Sequence, residues 1–238
     1  MDARNLCIIL LGILVFSCKS EQKTAYIDNK VSVVGAMRNV MWKGELNGTI
    51  SLDTISNKDY LYGLGPTSYL TGELLIINGK SYVSKVSSDS TMVVEESYDI
   101  SAPFFVYANV KSWTEMNLPS HVKSIQDVEK FIDKKTTDYN RPFAFKLVGK
   151  ASEANIHIQN LPKGTKVSSP QEAHQGQIQY QLSNEEVEIV GFFSTEHQGI
   201  FTHHDSFLHM HLITSKKDKM GHLDHLNIDQ MILFLPKQ

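Results

Sequence analysis

Two histidines spaced i, i+2 inside an apolar run dictate which strand face must turn inward, and this chain carries such a pair at His209 and His211. Their flanks, Phe207, Leu208, Leu212 and Ile213, have strand composition, and in a strand residues two apart leave the same face. Residues 214–221, rich in lysine and closed by Gly221, read as a turn. His222 opens the run that follows, so a hairpin would return a third imidazole beside the first two. Three neutral imidazoles with no further protein ligand form the donor set of a catalytic zinc site, which keeps a position open for water or substrate. The competing reading is a solvated polar loop, since His-x-His alone is a weak signal. His203 and His204 precede an aspartate outside the apolar run and are assigned surface or supporting roles. His225, three residues beyond His222, falls on the opposite strand face and is expected to be exposed or to support a ligand.

Cysteine usage narrows the ligands further. The chain has two cysteines, Cys7 and Cys18, both at its start. The rest can hold no disulfide, no thiolate-bound metal and no cysteine nucleophile, which leaves histidine and carboxylate as ligands. The apolar run over residues 6–16 follows Arg4 and is too short to span a bilayer as a helix. It fits the apolar core of a secretory signal, and Ser17-Cys18 at its end matches a bacterial lipoprotein signal over residues 1–18. Cys18 would then carry the lipid, with an ordinary signal peptide or an uncleaved anchor as the alternatives. Residues 19–30 read as a polar tether, which places the protein in the bacterial cell envelope as a membrane-anchored lipoprotein on the periplasmic or extracellular side. A net charge of -3 with no basic block excludes nucleic acid as the main partner.

From residue 31 onward, short runs rich in Val, Ile, Tyr and Phe alternate with turn residues. The clearest hairpin covers residues 73–83, where Asn78-Gly79 suits a two-residue type I′ turn. Further strands are expected over 92–95, 103–110, 143–148, 156–158, 178–182, 187–193 and 232–235. One helix is expected over 125–135, with Ser124 as its cap, Asp127 closing a capping box, and Val128, Phe131 and Ile132 on one face. The fold class is α+β: two strand-rich halves with mixed or antiparallel sheets and few helices, divided near residue 140 into 31–140 and 141–238. The metal site would lie in the cleft between the halves.

Several segments taken in order resemble the alpha-acetolactate decarboxylase family. They are Gly63-Leu64-Gly65, Leu70-Thr71-Gly72-Glu73, Asn78-Gly79-Lys80, Ala102-Pro103-Phe104, the strand over 143–149, Gly191-Phe192, Gln198-Gly199-Ile200, His209-Met210-His211 and Gly221-His222. The resemblance implies a zinc enzyme, a possible homodimer, that converts 2-acetolactate to acetoin and carbon dioxide. It implies His209, His211 and His222 as ligands of Zn2+ and Glu73 as the acid/base or proton-relay residue. Two departures stand out. The family's arginine in the strand before a proline falls on Gln159 here, so the substrate-binding position holds a neutral amide instead of a guanidinium. His157, two residues away on the same strand face, is the expected substitute if it is protonated. The acidic C-terminal extension that the resemblance implies has no counterpart before Gln238, and neither Glu196 nor Asp205 is an obvious stand-in. These departures keep open another hydroxy-keto acid substrate, or a non-catalytic lipoprotein that binds a metal or a metabolite.

Overall fold

The computed structural model describes residues 29–238. The signal, Cys18 and nearly all of the tether lie outside the described residues. No described helix is long and apolar enough to cross a membrane. The strands, in chain order, are β1 (Ser32–Gly35), β2 (Ile50–Ser51), β3 (Leu61–Pro66), β4 (Glu73–Ile77), β5 (Lys80–Ser88), β6 (Thr91–Glu96), β7 (Ser101–Ala102) and β8 (Phe104–Asn109). They continue with β9 (Trp113–Asn117), β10 (Phe143–Ile158), β11 (Ile178–Phe193), β12 (Leu208–Thr214) and β13 (Met220–Pro236). Three helices accompany them: α1 (Met37–Lys43), α2 (Ile125–Lys135) and α3 (Pro170–Ala173). The strand-rich α+β class holds, and every described strand pairing is antiparallel.

The first sheet has the order β1-β8-β3-β4-β5-β6, and β2 pairs separately with β7. Its β4–β5 hairpin turns at Asn78 and Gly79, with φ of 48° and 80°. These are the positive values that the two-residue primed turn requires. The second sheet has the order β10-β11-β12-β13-β9, and β10 also pairs with β13. The pairings β10–β11, β11–β12, β12–β13 and β13–β10 therefore close into a ring. Helix α2 packs Val128 and Ile132 against the apolar cluster that this ring encloses. The Ser124 hydroxyl accepts the Asp127 N–H while the Asp127 carboxylate accepts the Ser124 N–H, the reciprocal cap expected for this helix.

Three differences from the sequence expectation follow from how the strands pair. The runs expected at 143–148 and 156–158 are one continuous strand, β10, and those at 178–182 and 187–193 are one strand, β11. The run opened by His222 extends through 232–235 as β13. Register shifts at Lys150/Ala151, Ala151/Glu153 and Asn155/Ile156 interrupt the two-residue periodicity of β10 without ending its pairing. The division between sheets also falls earlier than residue 140. Strand β9 pairs with β13, Trp113 opposite Pro236, so the second sheet begins at residue 113.

The two sheets share a core in which Tyr62, Leu64, Leu75 and Val106 of the first meet Val190, Phe192, Ile213 and Met220 of the second. Strand β12 is buried on both faces. Leu208, Met210 and Leu212 face the ring interior. The alternate residues His209, His211 and Ile213 face the first sheet. On β4, Glu73 shares its face with Leu75 and Ile77, which point toward the second sheet. Alternation alone thus aims the histidines and Glu73 at one another.

Candidate metal centre and active site

The register explains how distant segments meet. His211 lies opposite His222 across β12 and β13, and His222 lies opposite His157 across β13 and β10. Directly opposed residues of antiparallel strands share a face, so these three imidazoles form one row, with His209 two residues along β12. The ligand atoms of His209, His211 and His222 lie within 4.8 Å of one another. His209 Nε2 is 3.2 Å from His222 Nδ1, and His203 Nε2 is 3.3 Å from His222 Nε2. Glu73 Oε2 stands 3.6 Å from His211 Nε2, and Glu73 Oε1 accepts the Gln159 N–H at 3.1 Å.

Burial sets the protonation of the cluster. His211 is fully buried and is pushed down to about 3, chiefly by desolvation and then by His157, with the nearby Leu74 backbone opposing the shift. Desolvation also lowers His209 and His222 well below the ordinary imidazole value, followed by repulsion from neighbouring imidazoles. The same burial, opposed by the Gln159 N–H, drives the Glu73 carboxyl well above its ordinary value, which favours the protonated form. The residues therefore fit a divalent metal: three neutral imidazoles, with His209 Nδ1 and both His211 nitrogens buried and without a hydrogen-bond partner among the described residues. Such nitrogens are costly to leave unsatisfied and are suitable metal donors.

The sequence-derived positions converge as follows. His209, His211 and His222 cluster, Glu73 faces them from the other sheet, and Gln159 lies beside both Glu73 and His157. His204, His225, Glu196 and Asp205 stay exposed. His203 turns inward to His222, its own protonation disfavoured by burial. Asp224 is a site residue that local sequence did not indicate. Both its oxygens lie 2.8 Å from His157 Nδ1, and Oδ1 lies 4.0 Å from His222 Nε2. The only local signal was its place two residues after a candidate ligand. A cavity of about 140 Å³ is lined by Glu73, Phe104, His157, Gln159, His209 and Asp224, among others. That is below the roughly 300–1,000 Å³ typical of sites for drug-sized ligands, which suits a small metabolite. A larger cavity, about 670 Å³, lies apart, beside Leu46, Tyr69 and Leu161, and none of the histidines lines it.

A sequence model of the alpha-acetolactate decarboxylase family matches residues 32–235. The chain belongs to that family. It is accordingly a carboxy-lyase. The fold agrees with solved structures. Alpha-acetolactate decarboxylase from Bacillus subtilis strain 168 superposes with a TM-score of 0.72 at 21% identity, covering 87% of this chain and 86% of that one. The enzyme from Bacillus subtilis subspecies spizizenii gives the same values. A protein from Staphylococcus aureus described as similar to alpha-acetolactate decarboxylase has a TM-score of 0.72 at 19% identity, covering 86% and 84%. A search of curated proteins gives no significant match.

Proposed function

We propose that this decarboxylase converts 2-acetolactate to acetoin and carbon dioxide with a zinc ion held by His209, His211 and His222. The observation that supports this reading best is the buried Glu73 carboxyl 3.6 Å from His211 Nε2, its proton held more tightly by burial. Decarboxylation breaks the bond between the carboxylate carbon and C2. The bonding pair passes into the adjacent ketone as an enolate, and a proton must then reach C2 to give acetoin. A bound divalent ion supplies Lewis-acid stabilisation for the negative charge that develops on the ketone oxygen. In this reading Glu73 delivers the proton to C2, a role supported by its position beside the imidazole cluster and by the Gln159 N–H, which holds its other oxygen. The apolar walls of Leu70 and Phe104 limit water around the reacting carbon. Acetoin formation from racemic acetolactate tests this directly. Turnover should need zinc and collapse in Glu73→Gln, and zinc-loaded, folded protein without turnover would refute it.

A second reading rests on Gln159. Where the resemblance places a guanidinium, the cavity wall holds a neutral amide, which favours a related hydroxy-keto acid as the native substrate. The envelope location also belongs to this proposal, supported by the apolar run before Cys18. A Cys18→Ser variant should leave the membrane fraction, whereas unchanged membrane retention would contradict lipidation there.

A further inference from the structure

The cavity of about 670 Å³ that no histidine lines is walled by Leu46, Leu161, Pro162 and the Tyr69 ring. Trp42 and Tyr69 are the most exposed large hydrophobic side chains among the described residues, at 61% and 57%. Tyr69 is held outside by its backbone. Tyr69 and Leu70 have φ of 62° and 52°, left-handed values that bulky residues rarely adopt, and this pair buries Leu70 while leaving the Tyr69 ring in solvent. The Tyr69 N–H donates to the Leu46 carbonyl at 2.8 Å, and its hydroxyl donates to the Asn47 side chain. Trp42 lies in the last turn of α1, two residues before Gly44, which also lines the cavity. Arg38, four residues earlier, shares the helix face of Trp42. The segments that build this surface, 37–47, 67–71 and 161–167, carry the four cations Arg38, Lys43, Lys163 and Lys166 against one acid, Glu45. All four cations are exposed, and none pairs with a carboxylate among the described residues.

We infer that this surface docks on a lipid bilayer with anionic headgroups, with Trp42 and Tyr69 seated at headgroup depth and the four cations facing lipid phosphates. Tryptophan and tyrosine favour that depth because an apolar ring and a polar edge are satisfied together. Basic residues beside an anionic leaflet add attraction that acts within a Debye length. The inference rests on the proposed envelope location. The ten residues between Cys18 and Asn29 span at most roughly 33–36 Å, so a lipid on Cys18 would keep the body close to the bilayer. One covalent attachment leaves the orientation of the body free, and this surface supplies the second contact. Helix α1 also lines the metal-site cavity with Met37 and Met41. Docking through α1 therefore sets that cavity at the membrane surface.

The test reads the position of Trp42 directly. The chain has two tryptophans, so Trp113→Phe leaves Trp42 as the sole indole. Full-length protein in that background is mixed with excess vesicles of phosphatidylcholine, or of equimolar phosphatidylcholine and phosphatidylglycerol, with and without bromine on the acyl chains. Brominated lipid should quench Trp42 at least about twofold in the phosphatidylglycerol vesicles and clearly less in phosphatidylcholine alone. Exchanging Lys43, Lys163 and Lys166 for glutamate should bring the quenching down to the phosphatidylcholine level, and Tyr69→Ser should remove part of it. Should Trp113→Phe fail to fold, the difference between wild type and Trp42→Phe gives the same signal. Unquenched Trp42, or quenching indifferent to phosphatidylglycerol and to the three lysines, overturns the inference. A blue shift of Trp42 that follows dimer formation without vesicles also overturns it, in favour of a second copy of this chain on the surface. The anchor is scored separately, by retention of Cys18→Ser in the membrane fraction. Unchanged retention with Trp42 still quenched keeps the docking surface and loses the lipid on Cys18. Lost retention, with Trp42 unquenched in the anchored wild type, does the reverse.

Discussion

Replacing Glu73 by glutamine should make the metal-free protein more stable at neutral pH while abolishing most of its activity. Glu73 is 2% exposed, and its only hydrogen bond among the described residues is the one Oε1 accepts from the Gln159 N–H. Glutamine has the same shape and keeps an oxygen for that bond, so the exchange itself should cost no more than about 1 kcal/mol. The titration term is larger. Burial raises the folded carboxyl well above 4.5, whereas the unfolded chain ionises near that value. The folded state therefore binds the proton more tightly. Stability from this group is complete below about pH 4.5 and is lost as pH rises toward the folded value, by up to about 1.4 kcal/mol per pH unit. Glutamine has no such dependence. The variant's advantage should thus be near zero at pH 4.5 and grow with pH, while the histidine titrations, common to both proteins, cancel. Urea melts of the two metal-free proteins from pH 4.5 to 8 measure the gap. In the metal-loaded enzyme, kcat should fall by roughly 10²–10⁴, the usual contribution of a positioned proton donor. A gap independent of pH, or a kcat within about threefold of wild type, would refute the assignment of Glu73 as a protonated acid.

Three further outcomes follow from the same geometry. A Cβ at Gly191 would lie 2.2 Å from Phe145 Cζ and 2.9 Å from Met210 Cγ. Gly191→Ala should therefore destabilise the ring by about 1–3 kcal/mol in a urea melt, since overpacking displaces both neighbours. The Glu129 carboxylate accepts the Ser206 hydroxyl and the Phe207 N–H just before β12. Glu129→Ala should cost about 1–3 kcal/mol and weaken metal binding severalfold in a chelator competition. The buried histidines work in the opposite sense to Glu73. Their folded values are depressed, so their contribution is complete above about pH 6.5 and is lost as pH falls, for His211 down to about pH 3. Metal-free protein should lose up to about 1.4 kcal/mol per histidine per pH unit in that window, and a flat acid limb in pH-dependent melts would contradict their neutral burial.

The parts of the molecule legible in sequence are those fixed by neighbours along the chain. Asn78-Gly79 specifies its hairpin because few residues accept two positive φ values in succession. Ser124 and Asp127 specify where α2 begins, and the spacing of His209 and His211 specifies their shared face. What escaped local reading depends on long-range register. Nothing around His157 shows that it will lie opposite His222, because that pairing needs β10 to continue through its bulges. Asp224 is one exposed polar residue two places after His222 on β13 until the pairing with β10 brings His157 to it. His203 stays in the loop between β11 and β12, and only the folding of that loop over the cluster makes it a neighbour of His222.

The most direct measurement is the metal content of the purified protein, by elemental mass spectrometry on wild type and His211→Ala. The imidazole cluster predicts about one zinc per chain in the wild type. The variant should lose it, because removing His211 leaves the cluster only His209 and His222. A wild type that is metal-free at neutral pH, or equal zinc in His211→Ala, would contradict the metal centre.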